Sequence, residues 1–190
     1  KEDCEFHPSS PYGISKIGTD CIAKFYHEAY NLKILITRMF THTGPRRGDV
    51  FAESSFAKQI ALIEAGKLEP IIKVGNLESK RTIADVRDAV RAYFLLLTKN
   101  PIPGNIYNIG GNYICTIKDI LEYLISLSKV KIDYKIDKER LRVLDADLQI
   151  PDSSKFVVHT GWDYKFTFEQ TMTDLLNYWR DNIIKKERSY

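Results

Sequence analysis

Between Pro11 and Tyr30 the apolar residues Ile14, Ile17, Cys21, Ile22, Phe25 and Tyr26 recur at three- and four-residue steps, the period of a helix with one apolar face. Lys33 to Phe40 follows as a short, almost continuously apolar run, the pattern of a strand covered on both faces in a parallel sheet. A helix feeding a buried strand is the second half of a βαβ unit. The strand leads into a polar turn, Thr41 to Gly48, reading His42-Thr-Gly-Pro-Arg-Arg-Gly48. That turn falls at the strand's carboxyl end, the edge at which open parallel sheets bind ligands.

Further along, Ser54 or Ser55 can cap a helix through Phe56, Ile60 and Ile63 that stops at Gly66. Ile71 to Val74 predicts a short strand. Val86, Val90, Tyr93, Phe94 and Leu97 form one face of a helix over Asp85 to Thr98, which ends before Pro101 and Pro103. Asn105 to Ile109 is strand-like and stops at Gly110-Gly111. Thr116 and Asp119 have capping-box spacing, so a helix through Ile117, Ile120, Leu121 and Leu124 starts there. Lys131 to Ile136 alternates strictly and predicts a half-exposed strand. Phe168, Met172, Leu175, Leu176, Trp179 and Ile183 mark a long amphipathic helix.

The chain has 190 residues, enough for one domain with a substantial core or for two small lobes. With 44% hydrophobic and 28% charged residues it has a globular composition, which excludes disorder. Its net charge of +3, from 28 basic and 25 acidic residues, is too even to imply nucleic-acid or membrane binding through bulk charge. Any anionic ligand must be met by local cations. Cys4, Cys21 and Cys115 are odd in number and widely spaced, which suggests neither a disulfide framework nor a zinc site. His7, His27 and His159 show no metal-ligand spacing, and no metal is expected. No apolar run approaches the roughly 20 residues that span a bilayer, so a cytoplasmic protein with no membrane partner is expected.

Tyr12-Gly-Ile-Ser-Lys16 places a phenol and an ammonium four residues apart, on one face of the first helix. A cation beside a phenol favours loss of the phenolic proton, so such a pair can exchange a proton with a carbonyl or carbinol oxygen. The spacing alone also fits a surface lysine beside a half-buried tyrosine. Context separates the two.

Ser10-Pro-Tyr-Gly-Ile-Ser-Lys16, the strand ending Thr37-Arg-Met-Phe40 and the turn His42-Thr-Gly-Pro-Arg46 together resemble the extended short-chain dehydrogenases/reductases that act on nucleotide sugars. Ser54-Ser-Phe-Ala-Lys-Gln-Ile60, Ile63-Glu-Ala-Gly66, Val74-Gly-Asn-Leu77 with Arg81, and Asp85-Val-Arg-Asp-Ala-Val-Arg-Ala-Tyr93 continue the resemblance in order. Within that family the combination is most similar to the branch of GDP-4-keto-6-deoxymannose reductase and GDP-mannose 4,6-dehydratase.

The resemblance implies hydride transfer between a nicotinamide and C4 of a GDP-hexose, as reduction of GDP-4-keto-6-deoxymannose to GDP-rhamnose. The dehydratase reaction is the alternative. It makes Tyr12 and Lys16 the catalytic pair and sets Tyr12, Lys16, Phe40 and His42 against the cofactor, NADP ahead of NAD. Thr41, Lys58, Asn76, Leu77, Arg81, Arg142 and Asp145 are set against the substrate, with cations toward the diphosphate and Asn76-Leu77 toward guanine. Read residue by residue, His42 is a backbone hydrogen-bonding group. The pattern departs at Thr41, where an Asn is usual, at Thr82, where an Asp is common, and at Val143-Leu144 after Arg142.

A Gly-rich dinucleotide turn and the family's third catalytic Ser or Thr are not found in this sequence. The chain is therefore expected to be the C-terminal half only of such an enzyme, lacking by itself the N-terminal cofactor-binding half that NAD or NADP would require. The expected fold class is α/β: the C-terminal part of a Rossmann-like parallel sheet domain plus a small α/β sugar-nucleotide-binding lobe. Residues 1–44 and 83–111 belong to the Rossmann part, 45–82 and 112–190 to the lobe. A homodimer through the catalytic-helix face is expected, although core packing would leave the same apolar stripe. The reading from another class is a truncated, non-catalytic sugar-nucleotide-binding or assembly module.

Overall fold

Parallel strand pairs flanked by helices recur along the whole of the computed structural model, which describes residues 1–141 and 148–187. The first helix, α1 (Pro11–Tyr30), starts where the Ser10 side chain accepts the Gly13 N–H at 3.1 Å, with Pro11 in the first turn. It stops at Asn31, whose φ of 51° is left-handed. A five-residue connection, 31–35, returns the chain to β1 (Ile36–Met39), which pairs in parallel with β5 (Ile106–Ile109). The predicted strand is thus found, but shorter. Only Ile36 of its four residues is fully buried, because its neighbour among the described residues is β5 alone.

After β1 come β2 (His42–Thr43), α2 (Ala52–Glu64), β3 (Ile71–Val74) and β4 (Lys80–Asp85). The α2 helix is not capped by a serine side chain. Instead Ser54 lies buried in the helix, donating to the Arg47 carbonyl at 2.7 Å and accepting from Trp179 Nε1 at 2.9 Å. Strand β4 was not foreseen, since Lys80-Arg-Thr-Ile-Ala-Asp85 carries no clear alternation; it is nonetheless the hub of a mixed sheet. It pairs in parallel with β2 and with β8 (Leu148–Gln149), and antiparallel with β6 (Tyr113–Thr116).

The α3 helix (Val86–Thr98) begins at Asp85, whose carboxylate accepts the Arg87 N–H. In α4 (Ile117–Ser126) both hydrogen bonds of the Thr116/Asp119 capping box form. Strand β7 (Asp133–Ile136) pairs in parallel with β3 but is exposed throughout, so its alternation is not half-burial. The short α5 (Ser154–Thr160) and the long α6 (Phe168–Glu187) close the described chain.

Two apolar cores result among the described residues. One gathers Phe56 and Ile60 of α2, Leu121 and Leu124 of α4, and Met172 and Leu176 of α6 over Ile72 and Val74. The other packs Ala92 and Leu96 of α3 and Phe156 and Trp162 around Tyr107 and Ile109 of β5.

This second core corrects the expected fold class. The expectation was only the C-terminal part of a Rossmann-like sheet with a lobe, yet parallel pairs with flanking helices run along the described chain, and Phe156 and Trp162 complete the core on β5. Thr171 and Asp174 of α6 likewise bond Asp85 and Arg87 at the start of α3. The Rossmann-like layering of parallel pairs and helices therefore spans the described chain. The stripe on α1 also departs from a core role: the helix has no buried residue, and Ile14, Ile22, Phe25 and Tyr26 are exposed.

Candidate active site

Alternation along β1 and β5 puts Thr37, Met39, Tyr107 and Ile109 on the face covered by α3 and α5. Arg38 points to the other face, where its guanidinium meets Asp20 of α1 at 2.7 Å and 3.4 Å. Helix and strand therefore run antiparallel, with Asp20 level with Arg38. From there Tyr12 lies eight residues up the helix, about 12 Å at 1.5 Å per residue. Thr41 and His42 lie three and four residues up the chain from Arg38, about 10–13 Å at 3.3 Å per residue. The α1 start thus comes level with the carboxyl edge of the strands.

At that edge Tyr12 is 71% exposed, and Lys16 Nζ sits 5.3 Å from the centre of its ring. Phenol and ammonium share one helix face and both reach solvent. Phe40 and Thr41 are fixed by their backbones: Phe40 N–H donates to Ile109 at 2.8 Å, and Ala84 N–H donates to Thr41 at 3.0 Å. His42 Nδ1 lies 3.1 Å from the Phe40 carbonyl, which only accepts, so Nδ1 carries the proton. The backbone role read for His42 is the one found.

Two glycines hold the edge tight. A Cβ on Gly44, whose φ is 146°, would fall 2.9 Å from Val86, and one on Gly111 would fall 1.8 Å from the Ile83 carbonyl. Asp85, beside Thr43 in the register of β2 and β4, anchors the start of α3. Burial opposes its ionisation, but hydrogen bonds from Arg87 and Thr171 outweigh that and hold its carboxyl below the ordinary range. Beyond Gly111 opens a cleft of about 500 Å³, with Thr82, Asn112 and Ile114 on one side and Ile150, Asp152 and Val157 on the other.

The other expected substrate residues are spread more widely. Lys58 is paired with Asp49 at 2.5 Å and lies 5.4 Å from the Trp179 ring centre. Asn76 spans its own turn, accepting the Glu78 N–H and donating to Ser79. Leu77 is a core residue, 8% exposed. Arg81 lies on β4 opposite Cys115 and donates to the Lys80 carbonyl at 2.9 Å. Arg142 and Asp145 lie outside the described residues. Burial pushes the Cys115 thiol up to about 12, which makes it a core group rather than a nucleophile.

Two arginines carry features that sequence reasoning passed over. Arg46 has φ 75°, the left-handed region that a side chain disfavours. Arg47 stacks on Phe51 at 3.3 Å and has Nε 3.4 Å from the buried Glu53 carboxylate. The signal was the doubled arginine inside the Gly-Pro turn. The Asp20–Arg38 pair was also missed; its signal was the continued four-residue spacing of Tyr12, Lys16 and Asp20.

The sequence pattern of the GDP-mannose 4,6 dehydratase family matches residues 1–175. GDP-6-deoxy-D-mannose reductase from Pseudomonas aeruginosa is 27% identical over 93% of this chain and 58% of its own length. GDP-mannose 4,6 dehydratase 1 from Arabidopsis thaliana is 31% identical over 89% of this chain and 46% of its own. The structure of RMD from Pseudomonas aeruginosa complexed with NADPH superposes with a TM-score of 0.87 and 26% identity, over 96% of this chain and 60% of that one. The chain thus spans about half to three-fifths of the length of these relatives.

These matches correct three expectations. The resemblance was assigned to a C-terminal half only, but the family pattern and the alignments run along nearly the whole of this chain. Nor does the expectation hold that this chain alone lacks a cofactor-binding half that NAD or NADP would require, because the NADPH-bound relative superposes on 96% of it. With the Tyr12/Lys16 pair at the carboxyl edge of parallel strands, and a family pattern matched from residue 1 to residue 175, this chain belongs to the GDP-mannose 4,6 dehydratase family.

Proposed function

We propose that the protein is a nucleotide-sugar oxidoreductase that reduces the C4 keto group of GDP-4-keto-6-deoxymannose with NADPH, yielding GDP-rhamnose. The observation that carries this reading is the placement of Tyr12 and Lys16 on one face of α1, level with the Phe40–His42 edge. The donor set fits the nicotinamide end of such a cofactor, since an exposed ammonium and an exposed phenol suit a ribose diol and a carbonyl oxygen. When bound, the reduced nicotinamide supplies a hydride to the C4 carbon.

Tyr12 donates its phenolic proton to the C4 oxygen, completing the alcohol. Lys16 stabilises the phenolate left behind and hydrogen-bonds the ribose hydroxyls, so it orients as well as tunes. Tyr12 regains its proton from water, which its exposure allows. Phe40 and His42, with backbones pinned by β5 and by their own turn, wall the cofactor side, and Thr41 faces the sugar. Lys58 and Arg81 are assigned to the diphosphate, for which Lys58 exchanges Asp49 for a phosphate oxygen. The turn at Asn76-Leu77 is assigned to the guanine side, and the exposed stripe of α1 to a homodimer.

The test is product analysis. The protein is incubated separately with GDP-4-keto-6-deoxymannose plus NADPH and with GDP-mannose plus NADP, and the sugars are identified by NMR. GDP-rhamnose from the first mixture supports the reductase reading. A 4-keto sugar formed from GDP-mannose would replace it with the dehydratase reading. No product from either, with the fold intact, would refute both.

A further inference from the structure

An amphipathic helix is normally fixed in rotation by its buried apolar face. That device is missing from α1, which buries none of its 20 residues. Half-buried Ile17 and Ala23 and the His27 ring, packed against Gly104, lie along it, but the hydrogen bonds that tie it to the sheet centre on Arg38 of β1. Its Nε and NH2 groups donate to the two carboxylate oxygens of Asp20 at 2.7 Å and 3.4 Å. Its NH1 group donates to the Glu2 carbonyl at 2.6 Å, and its guanidinium lies 4.6 Å from the centre of the Phe6 ring. Glu2 in turn accepts the N–H of Asn108, the residue opposite Arg38 in the β1/β5 register, at 2.8 Å. One guanidinium thus joins segment 2–6, α1 and β1, and through Glu2 reaches β5.

Arg38 and Asp20 have side-chain exposures of only 20% and 12%, so water competes weakly with the pair. A planar guanidinium fork also constrains direction, which an ammonium does not. Asp20 continues the spacing of Tyr12 and Lys16, each four residues from the next, so all three lie on one face of α1. Fixing the direction of Asp20 therefore fixes the direction of the phenol and the ammonium.

We propose that Arg38, through Asp20, is a positioning residue that sets the rotation and height of α1 and so aims Tyr12 and Lys16 at the sheet's carboxyl edge. This rests on the reading of Tyr12 and Lys16 as the proton-handling pair. Neither Arg38 nor Asp20 touches the reacting atoms. A rotation of α1 displaces the phenol from the carbonyl it protonates, and misplacement by about 1 Å can lower turnover about 100-fold without weakening binding.

The experiment compares the full protein with Arg38→Met, Asp20→Asn, Arg38→Lys and the exchanged double variant Asp20→Arg/Arg38→Asp, by two readouts. The first is amide hydrogen exchange resolved by segment; the second is steady-state reduction of GDP-4-keto-6-deoxymannose. Arg38→Met and Asp20→Asn are expected to accelerate exchange in α1 while leaving α2, α4 and α6 unchanged. Each is expected to lower kcat about 100-fold, with KM for the sugar moving less than about threefold. Arg38→Lys falls between, and the exchanged pair recovers about tenfold or more of the loss. Unchanged kcat in Arg38→Met, or an exchanged pair that recovers nothing, would overturn the proposal. If the parent protein does not reduce the sugar, the functional reading fails by itself. The clamp is then decided by exchange alone: α1 exchange that does not respond to Arg38→Met overturns it.

Discussion

Helix α2 buries Phe56, Ala57, Ile60, Ala61 and Ile63 among its 13 residues, whereas α1, with 20, buries none. Both carry an apolar stripe in sequence, and their propensities do not distinguish them. The difference lies in what each meets. Helix α2 packs against α4, α6 and β3, so its position follows from apolar burial shared among several elements. Helix α1 is oriented by Arg38 and Asp20 and keeps its stripe in the open. A helix located by burial resists change at many positions, while one whose hydrogen bonds to the sheet centre on a charged pair is most sensitive at those two residues. The helix that carries the candidate chemistry is the second kind.

Substitutions should therefore separate stability from activity along this divide. Leu121→Ala, in the core that seats α2, is expected to cost about 2–5 kcal/mol in urea unfolding, because the site is fully closed and collapses poorly. Lys16→Met should leave unfolding unchanged and lower turnover about 100-fold, close to 2.7 kcal/mol in barrier, with a rise in KM for the nicotinamide. A loss of stability in that variant would make Lys16 a structural residue and blur the comparison.

Acid should act on the polar ties that join the helices. Burial opposes ionisation of Asp85 and of Glu64, but hydrogen bonds from Arg87 and Thr171 to the first, and from Arg180 and the Lys129 N–H to the second, lower both below ordinary carboxylate values. A group lowered in the folded state stabilises the fold above its unfolded value and loses that contribution as pH falls through the folded one. Stability should accordingly be flat near neutrality and decline below about pH 4. Asp85→Asn is expected to cost about 1–3 kcal/mol at neutral pH and to flatten the acid decline, as followed by thermal melting across pH. The smallest effect is expected at the exposed stripe. Phe25→Ser should change unfolding of the dilute protein by less than about 0.5 kcal/mol, whereas a large change that grows with protein concentration would show that the stripe is covered by a second copy.

Much of the fold was legible because its signals are local. The α1 period, the Thr116/Asp119 capping box and the apolar face of α3 each depend on residues a few positions apart, and each element formed where its pattern lies. What escaped depends on distant partners. Strand β4 has no alternation of its own and exists because β2, β6 and β8 hydrogen-bond to it. Strand β7 alternates in sequence but among the described residues pairs only with β3, and its four residues are exposed. The packing of Phe156 and Trp162 on β5 escaped for the same reason, since nothing near them in sequence shows it.

The candidate site divides likewise. Tyr12 and Lys16 are one helix turn apart, so their shared face followed from spacing alone. The resemblance sets Lys58 toward the diphosphate, while its ion pair with Asp49, nine residues away, is visible only in the fold. Leu77 was placed toward the nucleotide because its turn was, while its side chain enters the core. Sequence resemblance places a backbone segment well; which side of it a side chain leaves by is settled by packing.

In the proposed reaction the exposed phenol at the start of α1 supplies the proton. The direct test follows nicotinamide absorbance during reduction of GDP-4-keto-6-deoxymannose by the parent protein and by Tyr12→Phe, with GDP binding to both measured by calorimetry. Turnover is expected to fall about 10²–10⁴-fold in Tyr12→Phe with GDP affinity unchanged, since one hydroxyl is removed from an exposed side chain. Equal turnover in the two proteins would contradict it.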